Sequence, residues 1–280
     1  MGIKSVLFIR RDNIGDLVCT TPAIRALRLK RPDVRIGVVV NTYNAEVVRN
    51  NPDIDEVFVY EKGKHSSGKG GVAVFANNLG LVLRVRASRY DVAIGCGYAW
   101  SARLARYTFL TGAKMRIGFA PSGRPGPFFL YNRPLAEPRT PLHEVEAMMR
   151  LVGPLGVDGP PPPLFMKPDG EEVERAGRYL AMAGLKENDR LIAFHISSRK
   201  IVNRWPKEMF RELGDLICGE FPRVKILLLW SPGASTNPLH PGDDDRAEWI
   251  LSTMEKKPIV LRTNSLAELS AAMSLASLVV

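Results

Sequence analysis

Long apolar runs are missing from this 280-residue sequence, and its few cysteines and histidines lack the spacings that would give them a shared task. No stretch approaches the roughly 20 consecutive apolar residues that a membrane-spanning helix needs. The opening apolar run meets Arg10 and Arg11 too soon for a secretory hydrophobic region. The three cysteines, Cys19, Cys96 and Cys218, are far apart and odd in number. They form neither a disulfide framework nor a metal motif, as expected in a reducing cytosol. His65, His143, His195 and His240 show no metal-ligand spacing, which argues against a zinc site. No G-x-G-x-x-G follows a strand and no G-x-S-x-G elbow is present, against a dinucleotide oxidoreductase and an α/β-hydrolase.

What is present is an uneven charge. The net +10 divides into +11 over residues 1–168, with 24 Lys and Arg against 13 Asp and Glu, and −1 over residues 169–280, with 15 against 16. A basic first part suits an anionic partner: nucleic acid, a phosphorylated lipid or a membrane headgroup layer. Charge alone does not choose among them.

Apolar runs and helical spacings alternate along the chain. Strands are expected at Ser5–Ile9, Arg35–Val40, Glu56–Tyr60, Tyr90–Gly95 and Arg116–Phe119. Helices are expected from Pro22, near Glu46–Asn50, over Val72–Arg86 and over Trp100–Leu110. Ala120–Pro141, rich in Pro, Gly and Arg, reads as a long surface loop, and Leu142–Leu155 as a helix. The stiff Pro160–Pro163 segment marks a boundary, dividing the chain into domains 1–165 and 166–280. The pattern then restarts: helix Glu171–Ala183 with an αL cap at Gly184, strand Leu191–His195, helix Pro206–Gly219 and strand Val224–Trp230. Helix Asp243–Met254, strand Pro258–Leu261, helix Leu266–Ala276 and a last strand at Ser277–Val280 follow. Alternation of this kind predicts an α/β fold with two parallel-sheet, Rossmann-like domains.

Three stretches carry candidate chemistry. Arg10-Arg11-Asp12-Asn13-Ile14-Gly15-Asp16 follows the first strand as a tight loop, at the sheet end where ligands bind in open α/β folds. Asp16, or Asp12, is a candidate base there; a loop carboxylate can equally serve the backbone and the helix dipole. His195-Ile196-Ser197-Ser198-Arg199-Lys200, ahead of Arg204-Trp205-Pro206, offers hydroxyls, amides and cations suited to a diphosphate. An ordinary basic loop accounts for it equally well. Gly63-x4-Gly68-Lys69 approximates a phosphate-binding P-loop, but Gly70 stands where Ser or Thr should hold Mg²⁺. A basic loop that reaches an anionic acceptor through Lys64 and Lys69 is the better functional reading. Asp243-Asp244-Asp245 reads as acids at a helix start rather than a metal motif.

The first block, Val6 through Asp16 with Thr20-Thr21-Pro22, resembles the N-terminal signature of glycosyltransferase family 9, the lipopolysaccharide core heptosyltransferases. Phe194-His195-Ile196-Ser197-Ser198 through Arg204-Trp205-Pro206 resembles that family's donor motif, with Leu227–Trp230 and Ser265–Leu269 in the expected order. The resemblance implies a GT-B fold with an acceptor domain first and a nucleotide-sugar domain second. It also implies an inverting, metal-independent transfer of heptose from ADP-heptose to an anionic core glycolipid. No separate cofactor is implied and no nucleic acid partner. The expected place is the cytoplasm, with peripheral contact at the anionic inner face of the inner membrane. On this reading Asp16 is the general base, and Ser197 and Ser198 hold the diphosphate. Lys200 or Arg204 supplies the charge, because Asn203 stands where the family often has Lys. Asn264 makes a backbone contact to adenine, and Arg10, Arg11, Lys64 and Lys69 meet the acceptor. The family continues past the position of Val280 into an Asp-x-Gly-x-x-His segment, so the second domain is expected to be incomplete. A non-catalytic acceptor-binding homologue without a donor site, and a P-loop-like phosphotransferase, are the alternative readings.

Overall fold

The computed structural model describes residues 2–61, 71–121, 129–198, 200–237 and 242–280, with backbone alone at 71–75 and 201. The chain divides into two compact units, Met1–Lys167 and Pro168–Val280.

Unit 1 is built from β1 (Ser5–Ile9), α1 (Ile14–Val18), α2 (Thr21–Lys30), β2 (Arg35–Asn41), α3 (Glu46–Arg49) and β3 (Glu56–Tyr60). It continues with α4 (Gly71–Ala87), β4 (Val92–Gly95), α5 (Ala102–Leu110), β5 (Met115–Ala120), β6 (Arg133–Ala136) and α6 (Glu144–Val152). The sheet order is β3-β2-β1-β4-β5-β6, and every pairing is parallel. All five residues of β1 are buried, because a central parallel strand is covered on both faces. Its side chains alternate. Leu7 and Ile9 join Phe58, Tyr60, Leu81, Val85 and Leu104 in the core under α4 and α5. Arg10, on the other side, reaches Met148 and Glu144 of α6. The chain runs outward from β1 in two directions, to β2 and β3 on one side and to β4, β5 and β6 on the other. The switch point therefore lies between β1 and β4.

Two expectations for this unit need correction. The stretch after β1 is not a tight loop through Gly15 but the short helix α1. Asn13 caps it, and Asp16 at the third helical position returns a carboxylate oxygen to the Asn13 amide. Gly15 provides no close approach, since nothing lies within 4 Å of where a Cβ would stand. Ala120–Pro141 is not all loop either: it contains β6, with Ile117 opposite Arg133 and Ala120 opposite Ala136. The strand carries Pro134, which lacks an N–H and is tolerated because β6 is an edge.

Unit 2 contains α7 (Gly170–Met182), β7 (Arg190–His195), α8 (Lys207–Glu220) and β8 (Val224–Leu229). After these come α9 (Asp244–Thr253), β9 (Ile259–Val260), α10 (Leu266–Ser274) and β10 (Leu278–Val279). Its parallel sheet has the order β10-β7-β8-β9. Ala193, Leu227 and Leu229 pack with Leu180 and Ala272 on one face, while Phe194, Ile226 and Leu228 pack with Phe210, Ala247 and Ile250 on the other. Helix α7 closes at Gly184, whose φ of +94° is the left-handed cap that glycine adopts most readily.

Candidate functional site

In unit 1 the candidate residues gather where β1 hands over to α1. Arg10 is 2% exposed. Its Nη2 pairs with Glu144 at 2.7 Å and approaches Asp16 Oδ1 at 3.6 Å, while its Nε lies 3.4 Å from Asp12 Oδ2. The Nε contact is an ion pair without hydrogen-bond alignment. One buried guanidinium thus holds three carboxylates, two of them on its own loop. Asp16, its side chain 33% exposed, accepts from the backbone N–H of Asn13 at 2.9 Å and from Asn13 Nδ2 at 3.2 Å. These contacts fix its rotamer while Oδ1 stays near Arg10. Asp12 is more open, with half of its side chain exposed.

Arg11 turns the other way, as strand alternation carried one residue further requires. Its guanidinium lies 4.0 Å from the Tyr107 ring centre and 5.2 Å from that of Tyr60. Beside it opens a polar cleft of about 520 Å³, lined by Arg11, Asp12, Asn13, Tyr98, Ser101 and Arg103 among others. It sits at the switch point, between the segments that follow β1 and β4. Asp16 stands one hydrogen bond behind its wall, through Asn13. Tyr98, Ser101 and Arg103 are not apparent from motif spacing. The strand order would reveal them, since it puts the segment after β4 beside the one after β1. Arg10 is placed to hold carboxylates rather than to meet a ligand. Lys64, Lys69 and the P-loop-like stretch fall outside the described residues.

In unit 2 the candidates follow β7. Ser197 Oγ accepts from the Ser231 amide at 2.8 Å, which ties the segment after β7 to the one after β8. Arg204 Nε donates to the Ser198 carbonyl at 2.8 Å, and its Nη1 lies 2.8 Å from Asp243 Oδ1. Asp243 is wholly buried, and Arg246 Nε approaches the same oxygen at 3.5 Å. Neither oxygen of Asp243 meets a donor in hydrogen-bond geometry, so charge rather than direction holds this carboxylate. Arg204 acts as a strut between two segments. Lys200 is exposed on the same stretch, and the Asn264 amide donates to Glu268 at the start of α10. Burial lowers the His195 pKa, against a smaller opposing pull from Asp243.

The three consecutive acids do not converge. Asp243 takes Arg204, Asp244 accepts from Trp230 Nε1 at 2.7 Å, and Asp245 accepts from Ser235 Oγ at 3.0 Å. Among the described residues no group of three or more His, Cys, Asp or Glu is placed to hold a metal ion, and no helix is long and apolar enough to cross a membrane.

Comparison with known proteins gives a consistent picture. The family model described as glycosyltransferase family 9 (heptosyltransferase) matches residues 79–280. Lipopolysaccharide heptosyltransferase 3 of Escherichia coli is 24% identical over 203 residues, 72% of this chain and 57% of that protein. The chain thus matches rather more than half the length of that relative. The structure of a family 9 glycosyl transferase from Veillonella parvula superposes with a TM-score of 0.81 at 24% identity, covering 100% of this chain and 76% of that one. The E. coli heptosyltransferase WaaC, solved with ADP, gives a TM-score of 0.75 at 19% identity, covering 98% of this chain and 80% of that one. The expected α/β, GT-B-like class with two parallel sheets is the class found.

Proposed function

This chain belongs to glycosyltransferase family 9, and on that premise we propose that it transfers a heptose or related sugar from an ADP-sugar to an anionic lipopolysaccharide core glycolipid. The observation that carries the reading is the carboxylate-bearing segment after β1, set beside a polar cleft at the switch point of unit 1. An acceptor held by that cleft presents a hydroxyl to Asp16 at its margin and gives it the proton as the hydroxyl oxygen bonds to the anomeric carbon. The bond from that carbon to the diphosphate oxygen breaks, and ADP leaves with the electron pair, inverting the centre. The step needs no bound metal. Arg11 and Arg103, on the cleft wall, suit an anionic acceptor.

In unit 2, Ser197, Ser198 and Lys200 meet the diphosphate, and Arg204 keeps their segment in place from its pairing with Asp243. Solved relatives hold ADP and a fluorinated ADP-heptose, which supports this choice of donor. The acceptor domain is then unit 1, the donor domain unit 2, and the place of action the anionic cytoplasmic face of the inner membrane.

Asp16→Asn should abolish transfer and leave ADP affinity, measured by calorimetry, nearly unchanged. A second assignment of the base is favoured by one observation: Asp12, not Asp16, lines the cleft directly. Near-normal turnover in Asp16→Asn together with inactive Asp12→Asn would move the role to Asp12. Absence of saturable ADP binding in the unaltered chain would favour a non-catalytic acceptor-binding protein.

A further inference from the structure

We propose that the α4–α5 face of unit 1 is a docking surface for an anionic lipid bilayer. The idea deepens the transferase reading, which supplies its purpose, but its argument lies in the surface itself. The two helical layers of unit 1 differ in what they expose. Among the described residues, the α2 and α6 helices show solvent one large apolar side chain, Leu29. Helices α4 and α5 show four, Leu79, Leu83, Phe109 and Leu110, with Leu83 59% exposed, and Phe129, 64% exposed, lies against Phe109 as a fifth.

These five form a continuous strip. Leu79 and Leu83 lie one helical turn apart on α4, and Arg86 continues their line. Arg86 donates to the Leu110 carbonyl at 3.2 Å, which joins the end of α4 to the end of α5. Val82 and Leu110 line one small apolar recess between the helices. Phe109 and Phe129 meet edge to face with ring centres 5.7 Å apart. Scattered exposed leucines need no explanation, but a contiguous apolar strip marks an interaction surface.

Its charge selects the occupant. Residues 76–121 hold seven Arg and Lys and a single acid, Asp91. Asp91 is turned inward, accepting from the Lys4 and Ser5 amides. Arg84, Arg86, Arg89, Arg103, Arg106 and Lys114 are all exposed. On α2, by contrast, Arg25 and Arg28 pair with Asp53 and Asp55. Among the described residues none of these cations is paired with a carboxylate, and apolar side chains among such cations are what an interfacial surface presents to acidic headgroups. A second copy would set cations against cations. The recess is small, so a lipid chain is not taken up whole and the surface acts as a plane. Arg103 belongs both to this basic set and to the cleft wall, so docking brings headgroup-level sugars to the cleft.

The test is flotation of the full chain with vesicles of phosphatidylcholine alone and of phosphatidylcholine mixed with phosphatidylglycerol. Binding should require phosphatidylglycerol, weaken as salt rises, and fall at least about five-fold in Leu83→Glu, Phe109→Glu and Arg106→Glu. Met182→Glu, at an exposed apolar position of unit 2, should bind as the unaltered chain does. Equal binding to both vesicles, retention in the unit 1 variants, or equal loss in Met182→Glu would overturn the proposal. So would self-association in sedimentation velocity that Leu83→Glu abolishes, which would make the strip a dimer face. Transfer to a soluble, delipidated acceptor should be unchanged in Leu83→Glu. Vesicle binding without any transfer would sink the transferase reading and leave the docking surface standing.

Discussion

The segments that follow the first strand of each sheet are built on opposite charge plans. In unit 1, one buried cation, Arg10, is ringed by Asp12, Asp16 and Glu144. In unit 2, one buried anion, Asp243, is flanked by Arg204 and Arg246, with Lys200 exposed nearby. The first plan leaves carboxylate in excess, half-open to solvent, where a proton can be taken. The second leaves guanidinium in excess around hydroxyls and amides, where an anion can be held. On the proposed function, the first arrangement suits a base and the second an anion, according to which sign is buried at the centre.

If that contrast is right, losing a carboxylate costs rate in unit 1 and stability in unit 2. Asp16→Asn keeps an oxygen for the Asn13 amide, so the α1 cap survives and the thermal midpoint should hardly move. The turnover number should fall on the order of 10²–10⁴-fold, the usual worth of a positioned base. Transfer assays beside a melting curve check both halves. A variant that unfolds early, or one that turns over normally, breaks the unit 1 side of the comparison.

Asp243→Asn should do the reverse. Its partner Arg204 has a side chain only 9% exposed, and a buried charge stripped of its counter-ion costs about 3–5 kcal/mol. Urea unfolding should show that loss, while Asp243→Asn combined with Arg204→Met should regain much of it. No recovery in the double variant would mean that the pair is not the source of the stability.

Arg10→Met is the matching change in unit 1, and a smaller effect is expected. The three carboxylates it leaves behind are 23–50% exposed and can turn to water. A cost of about 1–2 kcal/mol is appropriate once solvent screening is counted. A larger loss than in Asp243→Asn would reverse the ranking of the two hubs.

These hubs also show what sequence reading could and could not reach. Strand β1 was legible because Val6, Leu7, Phe8 and Ile9 form a short unbroken apolar run ended by Arg10 and Arg11, as suits a strand covered on both faces. Alternation of strands and helices gave the parallel sheets for the same reason. Strand β6 was not legible: Arg-Pro-Leu-Ala lies in a proline-rich stretch, and only pairing with β5 makes it a strand. Helix α1 escaped because Gly15 suggested a loop, although Asn13 and Asp16 stand at capping-box spacing. Position drew attention to Asp16, Ser197 and Ser198. Nothing local could show that Glu144, 134 residues from Arg10, completes the first hub, or that Asp243 supports Arg204 in the second. Those contacts follow from topology, which carries distant segments to the same sheet end.

The smallest effect expected separates the two regions by pH. Burial lowers the His195 pKa below its ordinary 6.5, outweighing the nearby Asp243 charge that would raise it. Below pH 6.5 the unfolded chain therefore takes up a proton that the folded chain resists. The contribution of the neutral imidazole is complete above 6.5 and is lost as pH falls toward and through the folded value. His195 lies in unit 2, so the loss expected from its buried imidazole is a property of that unit. His195→Gln should flatten the decline of the urea midpoint between neutral and mildly acidic pH while leaving the neutral value almost unchanged. An unaltered slope in that variant would mean that burial of the His195 imidazole is not the source of acid sensitivity in unit 2.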